Sequence, residues 1–365
     1  MDRTEPILSQ QKNDENNVLR ASVLPHKRLG AKVFVGTFGT SVFVLGCAVI
    51  QGIILARILG PSGRGDYTSI ILWPTVFAYL GLLGTSFVIG RLAAKEKDIG
   101  SIFRSGILLA VLTSVLAVLI GYWLLPFLVP AEKHRLLPFA RWFLLYIPVC
   151  QISANLAAVD QGSGNFFRLN FIRALQSPVF ITVLVVIFIL GIEKVIWFVM
   201  ALLVAHAIVV LSRMILMLRE HGIKGRIYPV LKILRRGFPF ALTTAGVQGY
   251  QYVDKILLLW LLEPRHMGLY VIALSASSVM NTISGSMGLV SFTIAAQQSN
   301  SEGFGRVGSI FRKAVVAKLV IGTCLALAMP FLLPLVYGEE FSEAVKPAIL
   351  LIAGSSFAGL SLLLD

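Results

Sequence analysis

An acid and a base stand side by side in an apolar stretch: Asp254 and Lys255, between Gly237 and Leu262. Counted from Gly237, Asp254 lies 17 residues along, about 26 Å in a helix that rises 1.5 Å per residue. Gln248, Tyr250, Gln251 and Tyr252 share the segment. Charges inside apolar helices cost ~2.5–3.5 kcal/mol at a bilayer centre and less near its edge, so they usually face a cavity or a partner. These residues suit a cavity wall that binds a polar ligand or takes part in ion coupling. The plain alternative is an anchored helix end, with Lys255 reaching outward to water and Asp254 capping or pairing locally.

Other polar residues in apolar surroundings carry weaker signals. Gln151, Asn155 and Asp160 share part of one helical face and either line a cavity or hydrogen-bond a neighbouring helix. His206 stands alone among apolar residues and reads as a packed neutral imidazole. Asn281, with Ser284, Gly285, Ser286 and Gly288 nearby, reads as close helix packing. Cys47, Cys150 and Cys324 lie in apolar segments without metal-ligand spacing, as buried thiols. No phosphate loop, zinc spacing or paired acidic motif occurs in a loop. The residues thus offer no catalytic site, metal site or cofactor, and an enzyme is not expected.

The elements that position these side chains follow from composition. Of 365 residues, 56% are hydrophobic and 14% charged, with a mean hydropathy of +0.82. A soluble domain carries about 25% charged residues. The apolar residues run in blocks such as 107–128 and 195–218, close to the ~20 residues that cross a bilayer as a helix. The net charge of +14 fits loop bias and anionic lipid heads rather than nucleic acid. Ten spans are expected, near 33–57, 67–90, 105–128, 139–159, 171–191, 195–218, 237–262, 268–292, 314–336 and 347–364. With the N-terminus inside, 22 of the 32 basic residues fall on the inner side, as positive-inside sorting requires. Both termini are then cytoplasmic. No cleavable leader is evident in the polar first 30 residues, and the first span is expected to serve as the insertion signal.

The chain is written twice. Leu59, Pro61, Gly65 and Tyr67 recur as Leu262, Pro264, Gly268 and Tyr270 at an offset of 203. Ser101-Ile102-Phe103-Arg104 recurs as Ser309-Ile310-Phe311-Arg312, Leu124-Leu125-Pro126 as Leu332-Leu333-Pro334, and Pro138 as Pro347. Six spans separate the copies, so the repeat is parallel, one established transporter plan. The expected organisation is a polar tail (1–31), a six-helix lobe (32–218), a basic linker (219–236) and a second lobe (237–365). The fold class is all-α, a polytopic bundle in two parallel-repeat lobes. The second copy holds only four spans and reads as cut short, by truncation. At offset 203, Gln51 is the counterpart of Asp254.

The run Ile54 to Tyr67 (ILARILGPSGRGDY), followed by Ile71-Leu72-Trp73-Pro74, resembles the first hairpin of polysaccharide-biosynthesis flippases. These are the Wzx-type lipid-linked oligosaccharide exporters of the multidrug/oligosaccharidyl-lipid/polysaccharide superfamily. Tyr250 to Leu258 with Gly268-Leu269-Tyr270 resembles that family's seventh-helix region. The resemblance implies a MATE-like pair of lobes around a cavity that opens alternately to each side. It implies export of an undecaprenyl-diphosphate-linked glycan in a bacterial inner membrane, beside glycan polymerase or glycosyltransferase partners. Asp254, Lys255, Gln251, Gln248, Gln51, Asn155 and Gln151 would then be substrate- or ion-pathway candidates. Arg57 could meet the diphosphate, because guanidinium matches phosphate oxygens bidentately; an interfacial anchor accounts for it better. Arg91, Arg168 and Arg173, at inner helix ends, are candidates for the lipid diphosphate, or plain positive-inside anchors. A multidrug or organic-cation antiporter of the same superfamily is the nearest alternative. A non-transporting membrane scaffold for glycan enzymes is the other.

Overall fold

The computed structural model describes the backbone of residues 5–278, 280 and 301–361, and side chains over 35–278, 280, 315–316 and 318–356. Asn281 and its small neighbours lie outside the described residues. Among those described there is no strand. The helices are α1 (Glu5–Leu80), α2 (Thr85–Lys95), α3 (Ile99–Leu128), α4 (Leu137–Phe143), α5 (Tyr146–Gly162), α6 (Phe166–Ile189), α7 (Val195–His221), α8 (Val230–Leu261), α9 (264–278), α10 (Ser301–Tyr337) and α11 (Val345–Ser361). Two 3-10 turns, Ala131–Leu136 and Glu339–Ala344, precede α4 and α11.

Among the described residues five helices are long and apolar enough to cross a membrane, or six when the bent pair before and after Leu144 counts as one span. Where residues are described the expected spans fall on these helices with three revisions, and the eighth, 268–292, lies outside the described residues beyond 280. The first two expected spans are one helix to Leu80, bent at Gly60, whose φ of 61° and ψ of −178° place it where only glycine sits without strain. The second expected span is then broken at 81–84, with Leu83 and Gly84 at φ of 48° and 68°. The fourth is broken at 144–145 by a bend of 45°. Apolar residues continue through both breaks, so hydropathy does not register them. In addition α8 begins at Val230, inside the expected linker. Asp254 thus stands seven residues short of the helix end, about 10 Å.

Local chemistry sets several boundaries. Asp98 accepts from the Ser101 backbone N–H at 3.0 Å and starts α3; Asn165 does the same for Arg168 at 3.1 Å and starts α6. Each cap is worth ~1 kcal/mol. Pro178 is tolerated within α6, as membrane helices allow.

Each lobe has its own apolar core. Leu125, Phe143, Ile147, Leu184 and Phe198 centre the first. Ile272, Met329, Leu333, Phe341 and Ile352 centre the second, which also receives Ala56 from α1. The repeat extends beyond the matching residues. The two 3-10 turns lie 208 positions apart, and each is tied to a helix start by an ion pair. Arg135 pairs with Asp66 at 2.8 Å, and Arg265 with Glu343 at 2.7 Å. The signs are exchanged: the first turn supplies the cation, the second the carboxylate.

Candidate functional site

The break at 81–84 frees backbone groups in the apolar interior, where an unpaired one is costly. Gln151 of α5 takes up one of them, and the Thr85 hydroxyl another, the Leu82 carbonyl. Gln151 Nε2 donates to the Ala78 carbonyl at 3.3 Å, and its Oε1 accepts from the Thr113 hydroxyl at 2.7 Å. Asn155 Nδ2 donates to the Gly106 carbonyl at 3.0 Å, and its Oδ1 lies 3.2 Å from the Thr85 hydroxyl. Both amides are fully buried. They brace the broken helix rather than line a cavity. That corrects the pathway assignment and favours the helix-bonding alternative.

The broken segment receives α8. A methyl on Gly84 would meet the Gly237 carbonyl, and one on Gly237 would meet the Leu83 carbonyl. Beyond this crossing the Phe87 and Phe240 rings stack with centroids 5.7 Å apart. They help line a cavity of 540 Å³ whose charged residues are Arg91, Lys95, Glu96 and Arg236. Three cations face one carboxylate. Arg91 and Lys95 come from the first lobe and Arg236 from the second. A smaller space of 430 Å³ between α2 and α5 shares Phe87 and Arg91.

Near the other end of α8 a second cavity, of 680 Å³, is lined by Tyr250, Gln251, Asp254, Lys255, Tyr270 and Ser355 among others. Asp254 accepts a hydrogen bond from the Tyr270 hydroxyl at 2.9 Å through Oδ2, while Oδ1 is buried without a partner. Lys255 does not pair with it. Its ammonium donates to the Gln251 carbonyl at 3.2 Å and lies 5.1 Å from the Tyr252 ring centre. Gln248 Oε1 is likewise buried and unpartnered. Such oxygens seek a donor: a hydroxyl, an ammonium or a cation. The arrangement suits a hydroxyl-rich ligand held against tyrosine rings.

The remaining candidates lie elsewhere. Gln51 donates to the Ser177 carbonyl at 3.1 Å and ties α1 to α6. Arg57 donates to the Val336 and Leu335 carbonyls at 2.8 and 2.6 Å. It caps the end of α10, where carbonyls lack helical partners, and its side chain is exposed. Arg168 is held by Asp160 at 2.5 Å and by Glu220, and Arg213 approaches the same Asp160 at 3.5 Å. With its charge matched by two carboxylates, Arg168 is not open to a diphosphate. Arg173 is exposed on α6 and lines none of these cavities. His206 is packed against Tyr146, accepts from the Gln176 amide through Nε2, and donates from Nδ1 to the Leu202 carbonyl at 2.9 Å. Two contributors escaped residue-by-residue reading. Tyr270 is marked only by the repeat and the family resemblance, and Arg236 only by inner-side charge.

The profile of the family described as polysaccharide biosynthesis protein matches residues 29–297. No curated protein matches by sequence. Three solved structures show the fold. The lipid II flippase MurJ in an inward closed conformation aligns at TM-score 0.69 and 16% identity, over 91% of this chain and 74% of that one. An inward-facing multidrug resistance MATE family transporter of the MOP superfamily aligns at 0.65 and 15%, over 88% and 81%. An outward-facing structure so described aligns at 0.52 and 17%, over 92% and 80%.

Proposed function

Because the chain belongs to the polysaccharide biosynthesis protein family, we propose that this multi-pass membrane protein is a flippase for a lipid-linked poly- or oligosaccharide intermediate, working by alternating access in a bacterial inner membrane. The intermediate would be an undecaprenyl-diphosphate-linked glycan such as an O-antigen, lipopolysaccharide or exopolysaccharide precursor. Glycosyltransferases or a polymerase would act on either side of the step. One observation carries the reading: α8 links a basic cavity built by both lobes to a polar, tyrosine-lined cavity around Asp254.

In this reading the N-terminus and the Arg91 end face the cytoplasm. Arg91, Lys95 and Arg236 attract the doubly charged diphosphate, which guanidinium groups meet bidentately. The glycan then lies along α8, where Asp254, Gln251 and Ser355 offer acceptors and donors to its hydroxyls. Asp254 is also placed to hold a coupling cation through its free oxygen. The same acid favours a second reading, an organic-cation antiporter, but a basic mouth would repel such a cargo. Proteoliposomes test the two. Transfer of a fluorescent undecaprenyl-diphosphate oligosaccharide between leaflets, above protein-free vesicles, is expected. Efflux of an organic cation under an imposed gradient, without glycolipid transfer, would replace the proposal with the antiporter.

A further inference from the structure

The two lobes touch most closely at the Gly60 end. Gly65 and Gly268 are counterparts in the repeat, as are Pro61 and Pro264. A methyl on Gly65 would overlap the Pro264 carbonyl, and a methyl on Gly268 would overlap the Pro61 carbonyl. The contact is reciprocal, so each lobe presents the same four-residue step to the other. Leu72, Leu259 and Met267 fill the space beside it. Among the described residues the one directional contact beside this crossing is weak, the Ser69 hydroxyl donating to the Met267 sulfur at 3.4 Å. Backbone against backbone can come apart without breaking a strong bond.

The directional bonds here come from one side only. Lys133, on the 3-10 turn before α4, is buried at 4% exposure. Its ammonium donates to the Leu259 carbonyl and, at 2.6 Å, to the Leu262 carbonyl. These acceptors belong to the last turn of α8, where carbonyls lack helical partners and the helix dipole favours a cation. No carboxylate lies within ion-pair distance of Lys133 among the described residues. Its hydrogen bonds therefore go to the opposite lobe, while Glu132 and Asp66 of its own lobe act on the charge from a greater distance. Arg57 makes the same kind of bond to the end of α10. In the repeat, the counterpart of Lys133 is Phe341, a buried apolar residue. The second lobe thus returns no such bond from that position.

We propose that Lys133, seconded by Arg57, is the clasp that holds the Gly60 end shut, and that it does so by gripping the helix that carries Asp254. The clasp rests on the alternating-access reading. Leu259 follows Asp254 by five residues on α8, so a ligand that shifts this helix loads the Lys133 bonds directly. When the lobes part, water replaces the carbonyls around the ammonium, and the bond re-forms on closure. A clasp of this kind biases the two states without locking either. The better overlap with the inward-facing transporter than with the outward-facing one agrees with a closed Gly60 end.

The test is side-specific labelling. Gln251, exposed on the wall of the Asp254 cavity, is changed to Cys in a chain whose native cysteines are replaced by Ala. A membrane-impermeant maleimide is applied from the Gly60 side. Lys133→Met is expected to raise the labelling rate ~5-fold, the scale of losing a cation at a helix C-terminus. Lys133→Arg, which keeps the donors, is expected to stay near the parent. Should Lys133→Met fail to give a monodisperse protein, Lys133→Gln carries the comparison. Gly268→Val, which wedges the crossing apart, serves as the reference for an opened end. Faster labelling with Gly268→Val but not with the Lys133 variants overturns the clasp and leaves the transport reading intact. Unchanged labelling in all of them overturns both.

Discussion

Asp254→Asn removes one charge and almost no volume. The Tyr270 hydroxyl can still donate to the side-chain oxygen, now over the 2.9 Å it spans to Oδ2. Folding should therefore change by less than about 1 kcal/mol, the net worth of one neutral hydrogen bond. Function should change more. Oδ1 is buried without a partner, and in the proposed reading this carboxylate oxygen accepts from a donor of the cargo or meets a coupling ion. Such bonds contribute ~1.5–3 kcal/mol, and 1.4 kcal/mol is tenfold, so the transfer rate at low substrate should fall roughly 10- to 150-fold. Leaflet transfer of a fluorescent lipid-linked oligosaccharide in proteoliposomes measures it, normalised to folded protein. Tyr270→Phe, which frees Oδ2 as well but keeps the charge, should lose much less. Unchanged transfer in Asp254→Asn at normal protein level would remove Asp254 from the pathway. A larger loss in Tyr270→Phe than in Asp254→Asn would mean that the tyrosine bond, not the charge, matters.

Neutralising Arg91 and Arg236 together to Gln should raise the half-saturating glycolipid concentration several-fold and flatten its salt dependence, leaving the maximal rate nearly unchanged; a change confined to the maximal rate would contradict a role in capture. Gln151→Leu strands the Ala78 carbonyl in the interior, at about 1–3 kcal/mol, while the Thr113 hydroxyl keeps the Leu109 carbonyl as acceptor; the variant should lower the melting temperature seen by size-exclusion after heating. Asp160→Asn leaves Arg168 and Arg213 buried without their shared carboxylate, a loss of about 3–5 kcal/mol for a broken buried pair; protein yield should collapse, whereas Arg173→Gln, on an exposed side chain, should be silent in both yield and transfer.

Legibility in the sequence followed how far each feature depends on distant residues. Asp254 was readable because a charge in an apolar run stands out whatever surrounds it. Its partner Tyr270 was not, because the bond joins two helices through side chains 16 positions apart. The break at 81–84 is spelled Gly-Leu-Leu-Gly, which looks like any membrane helix. What allows it is Gln151, about 70 residues on. Arg168 and Arg173 read alike as basic residues at an inner helix end. Only the fold separates them, by bringing Asp160 and Glu220 to the first and leaving the second bare. The lobes themselves were legible, since Pro and Gly at fixed spacing mark backbone geometry that both copies need. Kinks within the spans were not, because they cost no hydropathy.

The exchanged signs of the two turn-to-helix ion pairs bear on how a duplicated chain avoids assembling with itself wrongly. Two halves descended from one pattern offer each turn two similar docking helices. A first turn seated on the second half's helix would bring Arg135 toward Arg265. A second turn seated on the first half's helix would bring Glu343 toward Asp66. Both misplacements set like charges together, and only the observed seating sets opposites together. Like charges held in contact disfavour the wrong partner even when the right pair adds little stability, as exposed pairs do. An identity-preserving repeat would lack this discrimination, and swapping Asp66 with Arg135 would erase it while leaving each lobe's own ion pair in place.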